Sequence, residues 1–379
     1  MIINDIFDVQ FKINGIEILE SQLSVGFTAT ISENIYSGFP VCRVGFSTSG
    51  GFLDKCPIVD GTLMEFFITN KIYNTKESLK FRVSQVSTQI LGKVFTFVID
   101  GYLDFYEYFR NANRYAAYGL SSEIFKNVAE ANNLNYSIDP TNDKQVWIPS
   151  ETNVGTWLST IANHGWYDEV SCMLWFMDRF KKLHYRNLSD LFYSSKNIAH
   201  FDYGKSAAKD IKENVFRYKT FSFNADTGLD NIKNGYSGRN HHFDLLSYQQ
   251  ISQNANKTRS ITEIVNINKE LSQNLAESFL EFDVGNFHEH YYLAAKQNKR
   301  LLSLLSTYIV LGCEQYMPIR LGDIVTFNPV STGTDTLEIK SLKCKYIVSS
   351  LKTHITNKVL NMEVTLCTQG YNGASKESY

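Results

Sequence analysis

The residues able to do chemistry are few, and their spacing is mostly wrong for it. His288-Glu289-His290 and His241-His242 are the histidine clusters of the chain. A metalloprotease helix needs two histidines four apart on one face with a glutamate beside the first, and neither cluster has that spacing. Both lie in or beside a polar stretch, so a solvated surface is expected for them. Gly204-Lys205-Ser206 resembles the end of a phosphate-binding loop. The place of the first glycine is taken by Ala199, however, and His200, Phe201, Asp202 and Tyr203 are too bulky for a cradle of backbone amides, so it reads as a chance turn. Cys42, Cys56, Cys172, Cys313, Cys344 and Cys367 contain no CxxC pair. Reduced thiols buried as small apolar groups are expected.

No GxSxG elbow is present. Glu151 and Asp168 flank a predicted helix, where helix-end charge or solvent exposure explains them as well as catalysis does. Asp and Glu are too common for sequence spacing to pick out a glycosidase pair. The aromatic stretch from Trp147 to Tyr185 could form a stacking platform, but its residues fall at core positions of a predicted helix and two strands. The expectation is no catalytic, cofactor-binding or metal-binding residue, and no cofactor.

The elements that would position such residues change along the chain. Phe11–Ile18, Val25–Ile31, Val41–Phe46, Leu63–Ile68, Leu79–Val86 and Val94–Ile99 are short β-branched or aromatic runs separated by turn residues, the pattern of a barrel or sandwich. Helical spacing then appears. Leu120, Ile124, Phe125, Val128 and Ala129 share a face, with Ser121 or Ser122 as cap and Asn132-Asn133 as stop. A second helix follows Pro149, with Val154, Trp157, Leu158, Ile161 and Ala162 on its apolar face, Ser150 or Thr152 as cap and Gly165 at its end. Strands are expected at Met173–Met177 and Lys182–Arg186, completing an α/β unit over 113–205.

The strand pattern returns in Val215–Phe223. Residues 230–285 are rich in Asn, Gln, Ser and Lys with thin periodicity, which predicts an exposed or flexible insertion, and a helix is expected over Asn286–Leu305. Strands are predicted again at Thr307–Leu311, Asp323–Phe327, Thr336–Ile339, Lys345–Lys352 and Val359–Leu366, with 371–379 a loose tail.

Composition narrows the function classes. The 379 residues exceed what one core usually supports, so about two to four domains are expected. With 37 Lys+Arg against 39 Asp+Glu the formal charge is −2, which removes the electrostatic footprint of a dedicated nucleic-acid binder. The N-terminus does not read as a signal peptide, and Leu301–Cys313 is too short and too polar for a membrane span. A soluble chain made in the cytoplasm is expected, without stable membrane insertion. The 26 Phe, 22 Tyr and 4 Trp favour strands and large side-chain contacts.

An internal repeat is the most informative signal. Pro57-Ile58-x-x-Gly61-x-Leu63-Met64-x-Phe66 recurs as Pro318-Ile319-x-x-Gly322-x-Ile324-Val325-x-Phe327, an offset of 261. Residues 80–99 align without gaps to 345–364 at an offset of 265, with Lys80/Lys345, Val83/Val348, Ser84/Ser349, Thr88/Thr353, Ile90/Ile355, Lys93/Lys358 and Val94/Val359 identical. The strand phase also agrees: Phe95, Phe97 and Ile99 keep the parity of Leu360, Met362 and Val364. A one-residue slip would reverse the faces, so shared phase constrains the match more than composition does.

The expected fold is therefore α+β: two related small β-barrels, an α/β insertion and a second, polar insertion. The expected division is 1–112 for the first barrel, 113–205 for the α/β insertion, 206–229 with 307–370 for the second barrel, 230–306 for the polar insertion with its helix, and 371–379 for the tail.

Two barrels separated by an α/β insertion resemble the baseplate hub proteins of contractile-tailed phages, the N-terminal part of type VI secretion spike proteins, and siphophage tail-tip proteins. Two segments carry the resemblance. Trp147-Ile148-Pro149 through Trp157-Leu158-x-x-Ile161-Ala162-x-x-Gly165-Trp166, followed by a hairpin ending near Leu183-His184-Tyr185-Arg186-Asn187-Leu188, is similar to the helix-then-hairpin of the family's first insertion. Arg320-Leu321-Gly322-Asp323-Ile324-Val325, with Tyr346–His354 and a final strand, is similar to its second barrel.

The resemblance implies a homotrimer whose paired barrels make a ring of six, matching a sixfold tail tube on one side and a threefold spike on the other. It implies a virion protein of the baseplate or tail tip, assembled in the host cytoplasm, and part of the channel for DNA ejection. Implied partners are the tail tube or distal tail ring proteins, the central spike, the tape measure protein and inner baseplate proteins, with no sequence-specific nucleic acid. A near-neutral chain suits a conduit, which must not hold DNA. Spike, lysozyme or peptidase domains are expected to be separate proteins. The competing expectations are a cell-wall hydrolase and a carbohydrate-binding tail component.

Overall fold

The computed structural model describes residues 7–18, 23–49, 51, 56–71, 74–110, 116–148, 153–194, 198–204, 214–225, 237–244, 249–255, 275–283, 287–303, 305, 307–314, 316–331, 337–338, 342–356 and 360–368. The fold is mostly β with few helices. Its first part contains β1 (Phe7–Ile13), β2 (Ile16–Glu17), β3 (Leu23–Asn34), β4 (Val41–Ser49), β5 (Leu63–Asn70), β6 (Thr75–Leu91) and β7 (Val94–Leu103). The apolar run from Phe11 to Ile18 is broken into two strands, because Asn14 and Gly15 take φ of 51° and 78° and turn the chain back on itself.

The α/β part contains β8 (Ala117–Gly119), α1 (Ser121–Ala131), β9 (Asn135–Ile138), β10 (Gln145–Trp147), α2 (Val154–Asn163), β11 (Met173–Met177), β12 (Lys182–Asn187) and α3 (Leu188–Ser194). β11, β12 and β9 form one sheet, with β9 parallel to β12. The predicted caps are displaced. Leu120 precedes α1, and Ser121 and Ser122 lie inside it, where their amides donate to Asp143 Oδ1 at 2.9 Å and Thr141 Oγ1 at 3.1 Å. The helix start is thus satisfied by a distant loop. α2 is capped by Asn153, whose side chain accepts from the Thr156 amide at 2.8 Å, one residue beyond the predicted Thr152. The predicted ends hold: Asn133 has φ 52°, and the Gly165 amide donates to Ala162 O.

The rest contains β13 (Ala199–Tyr203), β14 (Val215–Tyr218), β15 (Thr220–Ala225), β16 (Ser237–Asp244), β17 (Gln249–Ala255), β18 (Leu275–Asp283), α4 (Tyr291–Ser303), β19 (Thr307–Cys313), β20 (Ile324–Phe327), β21 (Val330–Ser331), β22 (Leu337–Glu338), β23 (Lys345–Thr356) and β24 (Leu360–Thr368). Three differences from expectation stand out. Val215–Phe223 is two strands with different neighbours, β14 on β13 and β15 on β19. β13, grouped by sequence with the α/β unit, hydrogen-bonds to β20 and so belongs to the second sheet. The polar insertion holds a three-stranded sheet, β17-β16-β18, which its weak alternation did not announce. The tail at 371–379 lies outside the described residues.

The strand order carries the repeat into three dimensions. The first sheet runs β3-β4-β7-β6-β5 and the second β15-β19-β24-β23-β20, antiparallel at every step. Beyond these five, β1 adds antiparallel to β5, whereas β13 adds parallel to β20. β6 and β23 both bulge against their partners, between Val83 and Gln85 and between Val348 and Ser350, which are equivalent at the offset of 265. The turns match as well. Gly61 and Gly322 have φ of 78° and 81°, and their amides donate to Val83 O at 2.8 Å and Val348 O at 2.9 Å.

Both sheets bury one parity of side chains: Phe97 and Ile99 in β7, Met362 and Val364 in β24. At about 25 cal/mol per Å² of apolar area, burying each such side chain contributes about 1.5–3 kcal/mol.

Candidate functional site: the junction of the two sheets

The two sheets are joined into one by β23, which pairs antiparallel with β3 from Ser350 opposite Asn34 to Thr356 opposite Thr28. Leu351, Thr353 and Ile355 on one strand and Ala29, Ile31 and Glu33 on the other turn inward and are buried. On the outer face Thr30 Oγ1 and His354 Nδ1 lie 3.2 Å apart. The Ser350 hydroxyl donates to Glu33 O at 3.1 Å, and the Ile35 amide to Ser349 O at 2.9 Å.

Glu33 is the inward member of that seam that carries charge, and it meets Arg179 from the α/β unit. Arg179 sits in the turn between β11 and β12, where Lys181 adopts φ 60°. Its Nη1 donates to Glu33 Oε1 at 2.6 Å, its backbone amide to Glu33 Oε2 at 2.8 Å, and its Nη2 to Ile319 O of the second sheet's entry loop at 3.4 Å. Both side chains are at most 2% exposed. The guanidinium also lies over the rings of Phe180 and Tyr316, 5.0 and 5.2 Å from their centroids. Tyr316 in turn hydrogen-bonds to Glu77 of β6. Burial pushes the Glu33 carboxyl up, and the Arg179 guanidinium and amide pull it back. One arginine thus ties together the first sheet, the second sheet and the α/β hairpin.

Around this pair the hairpin is held by further groups. Lys181 Nζ and Arg82 Nε donate to the two oxygens of Asp104 at 2.9 and 2.6 Å. Burial opposes ionisation of Asp104, and those two cations outweigh it and hold its carboxyl below the usual range. The Met177 amide donates to Gly38 O at 3.1 Å. Glycine is favoured at 38 by its φ of +69°, and a Cβ there would be in tight contact with the Trp175 ring, at 3.3 Å.

The candidates named from sequence fall as follows. His288 and His290 do not form a solvated surface. His288 donates its amide to Gln145 Oε1 at 3.0 Å and places Nε2 3.1 Å from His164 O, and His290 stacks on Trp166 at 4.6 Å. His164 itself stacks on Tyr291 at 3.7 Å, and burial pushes its pKa down to about 4. The reason is α4, which docks on the α/β unit. Asn298 in that helix donates Nδ2 to the carbonyls of Ala162, Asn163 and Gly165 at the end of α2, at 3.2, 3.0 and 3.2 Å, and accepts from the Met173 amide at 2.9 Å. No sequence signal singled out Asn298 or Arg179; each is one polar residue in an otherwise ordinary helix or turn.

His241 and His242 lie in β16, opposite Ser252 and Ile251 of β17. Gly204 ends β13 with φ +126°, while Lys205 and Ser206 lie outside the described residues, as does Glu151. Asp168 is exposed and accepts from the Val170 amide at 2.9 Å in a local turn. Trp147, Trp157, Trp166, Trp175 and Tyr185 are buried, as their core positions predict. Five cysteines are buried, Cys344 is half-buried, and none is in a disulfide. Among the described residues no group of three or more His, Cys, Asp or Glu is placed to hold a metal ion, and no helix is long and apolar enough to cross a membrane. The arrangement is one of packing and pairing: it holds three units in fixed relation.

No family model matches the chain, and no curated protein matches it by sequence. Solved structures do. A tail protein from Neisseria meningitidis MC58 aligns over 97% of this chain and 98% of its own, with a TM-score of 0.58 at 9% identity. The 43 kDa tail protein of prophage MuSo2 from Shewanella oneidensis aligns over 95% and 96%, with a TM-score of 0.57 at 9% identity. An E. coli component of the type VI secretion system aligns over 96% of this chain and 79% of its own, with a TM-score of 0.47 at 10% identity. Over nearly its whole length, this chain has the fold of those two tail proteins.

Proposed function

We propose that this chain is a structural hub of a phage tail, at the baseplate or tail tip. In this reading three copies form a ring of six related barrels, which joins a sixfold tail tube to a threefold central spike and lines part of the path for DNA ejection. The observation that carries it is the duplicated sheet, with the same five-strand order, bulge and turn in both copies, within a fold shared with tail proteins. A duplicated unit lets threefold symmetry imitate sixfold symmetry, which is what a joint between a tube and a spike needs.

The buried Glu33–Arg179 junction supports a fixed geometry between the two copies, as a ring requires. The division into a first barrel, an α/β insertion, a second barrel and a polar insertion follows the same reading, with the second unit starting at β13. Tail tube or distal tail ring proteins, the spike, the tape measure protein and inner baseplate proteins are the partners, and the location is the virion. The role assigns no catalytic residue. Native mass measurement and particle imaging with tube and spike proteins test it: a three-chain ring is expected, and a stable monomer that forms no ring with those partners overturns it.

A further inference from the structure

The joint between α4 and the α/β unit is built on histidines whose protonation the hydrogen bonds fix. A carbonyl oxygen only accepts, so a ring nitrogen bonded to one carries a proton. His164, the residue that closes α2, has Nδ1 3.0 Å from Tyr291 O, and His288 has Nε2 3.1 Å from His164 O. An amide only donates, and the His290 amide meets His288 Nδ1 at 3.2 Å, so that nitrogen presents a lone pair. His288 is therefore neutral, with both ring nitrogens in use. A second proton on it enters at Nδ1, where it points at the His290 N–H and breaks that bond.

The same rings carry the packing of the joint. His164 lies within 5° of parallel to Tyr291, Tyr291 stacks on Phe287 at 4.1 Å, and Trp147 stands 6.3 Å from the His288 ring. From the α/β unit Asp143 faces His288, but its oxygens already accept from the Ser121 amide and hydroxyl and from the Trp166 amide. From the turn before α4 Glu289 and His290 face it, paired with each other at 2.8 Å. His164 is faced by His288, a like charge once both rings are protonated. Burial outweighs the carbonyls and the two carboxylates, and it makes both histidines harder to protonate in place.

We infer that this joint is an acid-sensitive clasp: protonation of His164 and His288 undocks α4 from α2 and frees it, with the insertion strands β16 and β17 that it touches, from the α/β unit. Docked, both rings are held neutral. Undocked, they titrate at about 6.5 like any exposed imidazole. Opening therefore takes up protons below that value, and acidification favours it. With His164 at about 4 when docked, its part alone raises the opened fraction about twentyfold between pH 7 and pH 5. His288 adds in the same sense. The Asn298 contacts of the same joint do not titrate, so they hold α4 at neutral pH and leave the response to the histidines. The clasp lies within one chain and does not depend on the ring.

Hydrogen exchange of the full-length protein between pH 5 and 7.5, corrected for the intrinsic pH dependence of amide exchange, tests it. From pH 7 to pH 5 the protection of α4 relative to β3 and β4 should fall about twentyfold or more. His164→Asn can still donate to Tyr291 O and His288→Gln to His164 O, and neither titrates, so the double variant should lose most of that fall. Where the replacements already undock α4 at pH 7.5, ring-nitrogen NMR of the parent decides: at pH 5.5, in molecules whose α4 is protected, His288 should still be the neutral Nε2–H form. Relative protection of α4 that is flat with pH overturns the clasp. So does a docked double variant that keeps the parent's slope, or a doubly protonated His288 beside a protected α4.

Discussion

Ser84 and Ser349 stand at the same bulge of two sheets: each hydroxyl donates to the carbonyl of the residue sixteen positions on, Asp100 O at 3.0 Å and Thr365 O at 3.1 Å. The agreement extends to the loops that precede them. The Val59 amide donates to Thr62 Oγ1 at 3.0 Å, and the equivalent Arg320 amide to Asp323 Oδ2 at 2.8 Å, although the acceptor has changed from hydroxyl to carboxylate. A hydrogen-bond pattern that persists through a change of residue type marks a duplicated structure more firmly than identical side chains do.

The pair at the centre of the molecule should be sensitive to single replacements and tolerant of a double one. Glu33→Gln leaves Arg179 charged and buried without a counter-ion, and a loss of about 3–5 kcal/mol is expected. Arg179→Met alone should cost a similar amount by stranding the Glu33 carboxyl. The double replacement Glu33→Met with Arg179→Met should recover most of the loss, since an apolar pair needs no desolvation. Denaturant unfolding of the four proteins measures this, and a double variant no better than the worse single one would refute it.

Asn298 should matter out of proportion to its size. Its amide group closes the end of α2 and the start of β11, so Asn298→Leu strands several buried backbone groups, each costing about 1–3 kcal/mol when left unpaired. Asn298→Asp keeps the shape and turns a carboxylate oxygen toward three carbonyls, so it should be at least as damaging. Amide exchange in α4 is the sharper reading. It should accelerate in both variants, while the β3–β4 amides keep their protection.

These two residues also show where legibility in the sequence stops. The repeat was readable because strand phase and turn glycines are local: Gly61/Gly322 and the 80–99 match sit in contiguous runs. The α2 face and the hairpin at 173–187 were readable because periodicity reports burial. Neither Arg179 nor Asn298 has a local signature, since what makes each important is a carbonyl or carboxylate more than a hundred residues away. Polar neighbours predict a solvated place for His288 and His290, and the docking of α4 overrides that local context. The three strands between 237 and 283 are not legible because their sequence lacks a clear apolar–polar alternation.

Stability should respond to pH through Asp323. Burial raises its carboxyl to about 6, against the pull of the Arg320 amide and guanidinium. The folded state therefore holds that proton more tightly than the unfolded chain, whose carboxyl titrates near 3.9. The contribution to stability is full below about pH 4 and is lost as pH rises through 6. Asp323→Asn does not titrate and can still accept from the Arg320 amide. The melting temperature of this variant minus that of the parent should rise between pH 4 and 7. His164, pushed down to about 4, works in the opposite sense over the same range, so the difference between the two proteins is the quantity to follow. A flat difference would contradict the assignment.

The two turn glycines offer a paired comparison that separates the repeat from what is docked on it. Both have positive φ, so alanine at either carries a backbone cost of roughly 1–2 kcal/mol. At Gly61 a Cβ meets nothing within 4 Å. At Gly322 it would stand 3.1 Å from Phe176 Cζ, a side chain of β11 that is itself stacked on His184 at 4.6 Å and has little room to give. Gly322→Ala should therefore cost more than Gly61→Ala, by about 1–3 kcal/mol for the overpacking. The excess should fall when Phe176 is shortened to Leu, because the added methyl then has space, whereas Phe176→Leu should not change the cost at Gly61. Equal costs at the two glycines would mean that the α/β hairpin does not press on the second sheet, and the three-way junction centred on Arg179 would lose its closest steric support.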